Sequence, residues 1–108
     1  MEIERKDDDG GPVELAVQGE LTIYGAAEAY GVLDGVLAEG RDLRVNLSQV
    51  TELDSTGVQL LLAAKSAVEG KGRRFELVAH SPAVLEVMDL LQLSPVFGDP
   101  VVVPAEQA

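Results

Sequence analysis

Residues 43–57 read Leu-Arg-Val-Asn-Leu-Ser-Gln-Val-Thr-Glu-Leu-Asp-Ser-Thr-Gly. Val45 and Leu47 alternate with polar neighbours, Val50 and Leu53 prolong the apolar contacts, and Asp54-Ser55-Thr56-Gly57 then breaks the pattern. The stretch reads as a short apolar strand that runs through a polar turn into a helix. Thr56, with Gln59 three residues on, fits a capping box: the hydroxyl accepts from an orphan amide of the first turn and the amide side chain reaches back. On that reading Asp54 and Ser55 stand outside the helix, within reach of its free N–H groups. Asp, Ser and Thr at such a place are ordinary caps by residue type alone. Any further role has to come from the surrounding sequence.

Outward from this stretch, strands alternate with helices. Residues 2–6 and Val13, Leu15 and Val17 read as two strands around the acidic, glycine-rich turn Asp7 to Gly11. Ala26, Ala29, Tyr30, Leu33, Val36 and Leu37 recur at helical spacing, and Gly40 stands at the C′ position to stop that helix. Gly31 and Gly35 inside it each cost about 1 kcal/mol relative to Ala, a cost that close backbone packing would offset. A third strand is expected over 41–47, a second helix over 57–69 ended by Gly70-Lys71-Gly72, and a fourth strand over 74–79. Ser81 and Pro82 supply N-cap and N1 for the last helix, whose apolar side is Val84, Leu85, Val87, Met88 and Leu91. Val101 to Val103 reads as a short edge strand before a frayed terminus.

An opening hairpin followed by strand–helix alternation favours an α/β fold. The expected architecture is a mixed sheet of four to five strands, antiparallel at one edge and parallel inside, with helices mainly on one face. Full alternation over Val13 to Val17 fits one open face, since a strand covered on both sides would be apolar throughout.

The chain has 108 residues, 46% of them hydrophobic, enough for one core and too few for two. Its formal charge of −11 argues against nucleic acid and anionic membranes, both of which attract basic surfaces. Partners are expected to be neutral or basic where they touch it. There is no cysteine, and His80 is the sole imidazole, so neither disulfides nor a metal site or other cofactor is expected. The charged start, Met1 to Asp9, lacks an apolar segment behind it, so the protein is expected in the cytoplasm.

In the second helix, Leu60, Leu61, Ala63, Ala64, Ala67 and Val68 fall within one arc, the expected core stripe. Val58 and Leu62 fall instead between Gln59, Lys65, Ser66 and Glu69, four residues apart. An apolar pair among polar residues, one turn from Ser55, is expected to be a docking surface, with Gln59 and Lys65 beside it. With 4% aromatics the chain offers no aromatic-rich hot spot, so Val, Leu and backbone contacts are expected to carry the interface.

Asn46-Leu47-Ser48, Asp54-Ser55-Thr56-Gly57 and Ser81-Pro82-Ala83-Val84 resemble, in order and spacing, the STAS family, and the likeness spans nearly the whole chain. Gly19-Glu20-Leu21-Thr22 is similar to the Gly-Glu-Leu turn that follows the second strand in the bacterial anti-sigma factor antagonists of that family. The resemblance implies the same fold, and Ser55 as a phosphoacceptor supported by Asp54, Thr56 and Gly57. It implies as partners a serine kinase or anti-sigma factor of the histidine-kinase-like ATPase type, and a phosphatase that resets the site. The unphosphorylated form would capture the partner. Gln59 departs from the small residue that many antagonists carry two places after the Gly. Other members serve as accessory subunits of phospholipid-transport ABC systems or as adaptors in chemotaxis signalling clusters, and those readings stay open alongside the first.

A phosphate on Ser55 would meet a helix N-terminus, worth about 0.3–1 kcal/mol in its favour, with Asp54 and Glu52 opposing. At an interface, a like-charge juxtaposition costs several kcal/mol, so loss of binding outweighs any loss of fold. The types Asp54, Ser55 and His80 match a hydrolytic triad, but the Gly two residues before the Ser that marks a nucleophile elbow is absent, and no phosphate-cradling Gly-x-x-x-x-Gly-Lys loop is present. The sequence therefore favours a binding module over an enzyme.

Overall fold

A computed structural model of the chain describes residues 1–7 and 11–97. The elements, in order, are β1 (Glu2–Asp7), β2 (Val13–Leu21), α1 (Ala26–Leu37), β3 (Leu43–Leu53), α2 (Ser55–Gly70), β4 (Phe75–Val78), α3 (Pro82–Leu90) and the short α4 (Ser94–Phe97). The turn expected over 7–11 lies partly, and the Val101–Val103 strand wholly, outside the described residues.

The sheet runs β1-β2-β3-β4, with β1 antiparallel to β2 and the remaining pairs parallel. This is the mixed sheet expected from the sequence, and its period-two pattern decides which face is covered. Val13, Leu15 and Val17 of β2, Leu43, Val45 and Leu47 of β3, and Phe75 and Leu77 of β4 are buried on one face. They join Ala29, Leu33 and Val36 of α1, Leu61, Ala64 and Val68 of α2, and Val84 and Met88 of α3 in one continuous core. The other face is polar. Along one row of paired residues it carries Lys6, Glu14, Arg44 and Glu76, with alternating charge, and Arg44 lies 3.5 Å from Glu76 and 4.0 Å from Glu14. Such exposed pairs contribute about 0–1 kcal/mol each, so the row keeps this face solvated more than it holds the fold.

Strands β2 and β3 are longer than expected. The segment Gly19–Leu21 is not a turn after β2; it is the end of β2 itself, where Gly19 takes φ +97 and the register with β3 slips between Ala16 and Gln18 and again between Gly19 and Glu20. The slips let polar residues occupy a strand that alternation alone would end at Val17. Similarly, Ser48 to Leu53 stay in β3 and pair with β2. The start of the last helix matches its reading: Ser81 Oγ accepts from the Val84 amide at 3.2 Å, and Pro82 is the first helical residue. Its far end does not: Leu91, expected on the apolar side, is the C-cap after Leu90 and is 50% exposed. Gly72 takes φ +74 one place after the Lys71 C-cap of α2, as the glycine-rich stop implied. Gly40 has φ +66 but lies one place later than expected, because α1 ends with its C-cap at Ala38.

Among the described residues no helix is long and apolar enough to cross a membrane. Close packing does not explain the glycines inside α1: a Cβ at Gly31 or Gly35 would meet nothing within 4 Å. At Gly57 of α2, by contrast, a Cβ would run into the Leu21 carbonyl oxygen and come within 2.7 Å of Leu53 Cδ1. The helix start is thus pressed onto the ends of β2 and β3. Gly35→Ala should raise stability by up to about 1 kcal/mol through helix propensity alone. Gly57→Ala should instead lower it by about 1–3 kcal/mol or more, because the atom it meets is backbone and cannot swing away. Urea unfolding of the two variants checks both signs, and equal behaviour would contradict the packing described.

Candidate functional site

The C-terminal ends of β2 and β3 lie side by side, with Glu20 paired to Glu52 and Leu21 to Leu53. Each strand leads directly into a turn and a helix. After β2, the Gly25 amide donates to the Thr22 carbonyl at 3.0 Å, closing a turn whose two central residues are Ile23 and Tyr24. Thr22 is buried, and its Oγ1 accepts from the Tyr24 amide at 3.3 Å. A Cβ at Gly25 would come within 2.9 Å of the Glu20 carbonyl, so only glycine allows the chain to fold back so tightly here. After β3, Asp54 is extended at φ −113, ψ −175 and is the N-cap of α2.

The capping box on Thr56 is therefore corrected. Asp54 Oδ1 accepts from the Gly57 amide at 3.0 Å, so the helix begins at Ser55, and Ser55 and Thr56 are its first two residues rather than residues before it or capping it. A carboxylate caps better placed than a hydroxyl here because its second oxygen has work as well: Asp54 Oδ2 accepts from the Ile23 amide at 3.0 Å. One side chain thus joins the α2 N-terminus to the β2–α1 turn. These amide bonds, from Gly57 first and Ile23 next, hold the Asp54 carboxyl below its ordinary pKa. The triad rejected from sequence gains nothing from this geometry, since both Asp54 oxygens accept from backbone amides.

Ser55 is exposed at this helix start, Thr56 is half-buried, and Gly57 is buried against Leu21. The structure thus brings Asp54, Ser55, Thr56 and Gly57 together at one helix N-terminus, where partial positive charge favours an anion. Glu52 opposes it nearby. Its carboxyl is pushed above its ordinary pKa, first by a hydrogen bond with and then by repulsion from Glu20 across the strands, with a smaller contribution from Asp54.

The apolar docking pair is corrected as well. Val58 is only 4% exposed and belongs to the core, and Leu62 is half-buried and packed against that core. Clamping Gly57 onto Leu21 sets the rotation of α2, so that Gly57, Val58, Leu61, Ala64 and Val68 face inward. Ala63, assigned to the core stripe, is exposed instead, and with Leu60 and Ala67 it borders a groove against Tyr30 and Leu37 of α1. Gln59 is exposed; Lys65 is half-buried and holds Glu69 one turn on at 2.7 Å. The large apolar side chains that do stand out beside Ser55 are Ile23 and Tyr24, which sequence reading passed over. Both are surface residues, 64% and 92% exposed. The signal was present in the sequence: Ile and Tyr lie between Thr22 and Gly25, in a turn rather than on any amphipathic face.

A profile of the family described as "Mlab, STAS domain" matches residues 4–99. An anti-sigma-B factor antagonist of Staphylococcus epidermidis is 31% identical over 81 residues, covering 74% of this chain and 75% of its own. The crystal structure of an anti-sigma factor antagonist from Mycobacterium paratuberculosis superposes with a TM-score of 0.80 at 27% identity, over 98% of this chain and 88% of that one. The Bacillus cell fate determinant SpoIIAA in its phosphorylated form shares the fold, with a TM-score of 0.69 at 19% identity over 98% of this chain and 95% of that one.

Replacing Asp54 by Ala should lower stability by about 0.5–2 kcal/mol, the usual worth of an N-cap. Because its folded pKa is depressed, the stabilisation from Asp54 is full above the ordinary Asp range and fades as pH falls through the lower folded value; Asp54→Ala should remove that acid dependence in denaturation at stepped pH. Glu52 has the opposite sign. With its folded pKa raised, it lowers stability as pH rises above the ordinary Glu range, so Glu52→Gln should stabilise at neutral pH and lose that gain in mild acid. The same pH series reads both.

Proposed function

The chain belongs to the STAS-domain family, and from that membership we propose that it is an anti-sigma factor antagonist: a regulator that works by binding and whose binding is gated by phosphorylation of Ser55. The observation that carries the reading is the placement of one exposed hydroxyl, Ser55, as the first residue of α2, beside a carboxylate that is already committed to capping. The resemblance of 31% to an anti-sigma-B factor antagonist over three quarters of both chains supports the same role.

In this mechanism a partner kinase transfers the γ-phosphoryl of ATP to Ser55 Oγ, the hydroxyl proton leaves, and ADP is released. The kinase is of the histidine-kinase-like ATPase type and is also the anti-sigma factor, so the unmodified antagonist captures it and frees its client. The site gives this step its logic. The hydroxyl is accessible, and the first-turn amides of α2 offer partial positive charge to the phosphate, so the domain stays folded when modified. The new charge of about −2 lies next to Asp54 and near the Glu20 and Glu52 pair. A surface that must be covered by a partner then carries a phosphate that has to be desolvated or repelled, at several kcal/mol. Each 1.4 kcal/mol is a tenfold change in affinity, enough to open a tight complex without refolding. A phosphatase that removes the group resets the switch.

The test is to mix the chain with ATP and a histidine-kinase-like ATPase from the same genome. Phosphate should appear on Ser55, be absent from Ser55→Ala, and the ATPase should bind Ser55→Asp at least tenfold more weakly than the unmodified chain. Phosphate elsewhere, or equal affinity for Ser55→Asp and the unmodified chain, would contradict the reading. Recovery of an ABC-type ATPase as the tight partner would point to the lipid-transport branch of the family instead.

A further inference from the structure

Most basic residues of this domain gather at one end, where Asp7 and Glu39 pair with Arg5 and Arg41; carboxylates stand at both ends. The basic residues Arg41, Lys71, Arg73 and Arg74 stand where β3 and β4 begin: Lys71 Nζ donates to the Leu37 carbonyl, Arg73 Nε to the Gly40 carbonyl, and Arg41 Nη2 to the Gly11 carbonyl. Arg5 and Lys6 belong to the same end, since they pair with Leu15 and Glu14 near the start of β2. Between Lys6 and Arg41, and again between Arg44 and Lys65, the sequence contains no Lys or Arg. Those two stretches supply the C-terminal ends of β2 and β3 and the turns that follow them. There Glu20 and Glu52 are paired at the strand ends, and Asp54 is bonded to the turn that carries Ile23 and Tyr24.

From this arrangement, and resting on the reading of Ser55 given above, we infer that Ile23 and Tyr24 are the apolar anchor of the partner interface and that the partner meets them with an apolar recess rimmed by Arg or Lys side chains. Several observations converge on it. A β-turn tip presents the two side chains together, 64% and 92% exposed, and Tyr is among the residue types that dominate interface energetics. Tyrosine also supplies a large contact area at low entropic cost, because few torsions have to be fixed. The turn is pinned by the Thr22 hydroxyl, by the Gly25 backbone bond and by Asp54, so it is organised before a partner arrives. Charge decides the occupant. A second copy of this chain would bring the same acidic end, whereas a basic rim relieves the mutual repulsion of Glu20 and Glu52 and is drawn in by the field of that end.

The inference also gives Asp54 a second role. Its two oxygens hold the Ile23 amide and the Gly57 amide, so the phosphoacceptor and the anchor belong to one rigid unit, and a phosphate on Ser55 appears beside the anchor rather than at a distance from it.

The experiment uses the intact chain and the ATPase that phosphorylates it, with affinity measured by calorimetry over a series of salt concentrations. Tyr24→Ala should bind at least tenfold more weakly than the unmodified chain, and Tyr24→Phe within about threefold of it, with thermal midpoints unchanged because the side chain is exposed. Glu20→Gln combined with Glu52→Gln should weaken binding at low salt and flatten its salt dependence. If the unmodified chain binds and Tyr24→Ala binds equally well, the anchor is elsewhere and this inference fails while the phosphorylation reading stands. If the unmodified chain neither binds the ATPase nor accepts phosphate, both fail together.

Discussion

The Asp54 carboxylate is the interaction on which the rest of this molecule's surface depends. One oxygen caps α2 through the Gly57 amide and the other holds the Ile23 amide, so two chain segments that leave adjacent parallel strands are tied at a single point. Gly57 makes the tie possible by letting the helix start lie directly on the Leu21 carbonyl. From that contact follows the rotation of α2, and from the rotation follows which side chains remain outside. Val58 goes into the core, Ser55 stays in solvent, and the turn bearing Ile23 and Tyr24 is fixed alongside.

On the function proposed above, this small domain carries a switch without a moving part. The sheet and its helical layer share one core, and Ser55 is exposed and not a member of it. A phosphate placed there finds the favourable end of a helix and the unfavourable company of carboxylates. The balance for the isolated domain is small, about 1 kcal/mol in either direction. The balance for a partner that must cover the same ground is larger, since charge is costlier where water is excluded. On the proposed function, the difference between those two environments is the signal. The absence of Lys and Arg from residues 7–40 and 45–64 extends the same logic to longer range on the inferred interface, where a basic partner surface meets the end that carries the hydroxyl.

Much of the fold was legible in the residues, and the failures have identifiable causes. Ser81 and Pro82 were read correctly because capping is local chemistry, settled by a side chain and the amide three residues on. The mixed directions of the strands followed from the opening hairpin and from the helices between later strands, and the covered face from the alternation of Val13, Leu15 and Val17. Strand lengths were underestimated since bulges at Gly19 and near Ala16 break the period that marks a strand. The Asp54 cap was misassigned to Thr56 because its decisive second partner, the Ile23 amide, lies 31 residues away in sequence. The core face of α2 could not be fixed from a helix whose small and apolar residues occupy most of its circumference; a tertiary contact at Gly57 chose among them. Ile23 and Tyr24 carry no periodic signal for a related reason: they are the two central residues of a turn and belong to no amphipathic face.

The most direct measurement of the central claim is a pair of amide proton–nitrogen spectra of the chain before and after phosphorylation of Ser55. If the phosphate is read at the surface through the Asp54 tie, resonances of residues 22–25 and 54–58 shift while those of the core strands and of α3 stay in place. Shifts spread through β2, β3 and α3, or an Ile23 amide that does not respond at all, would contradict the account.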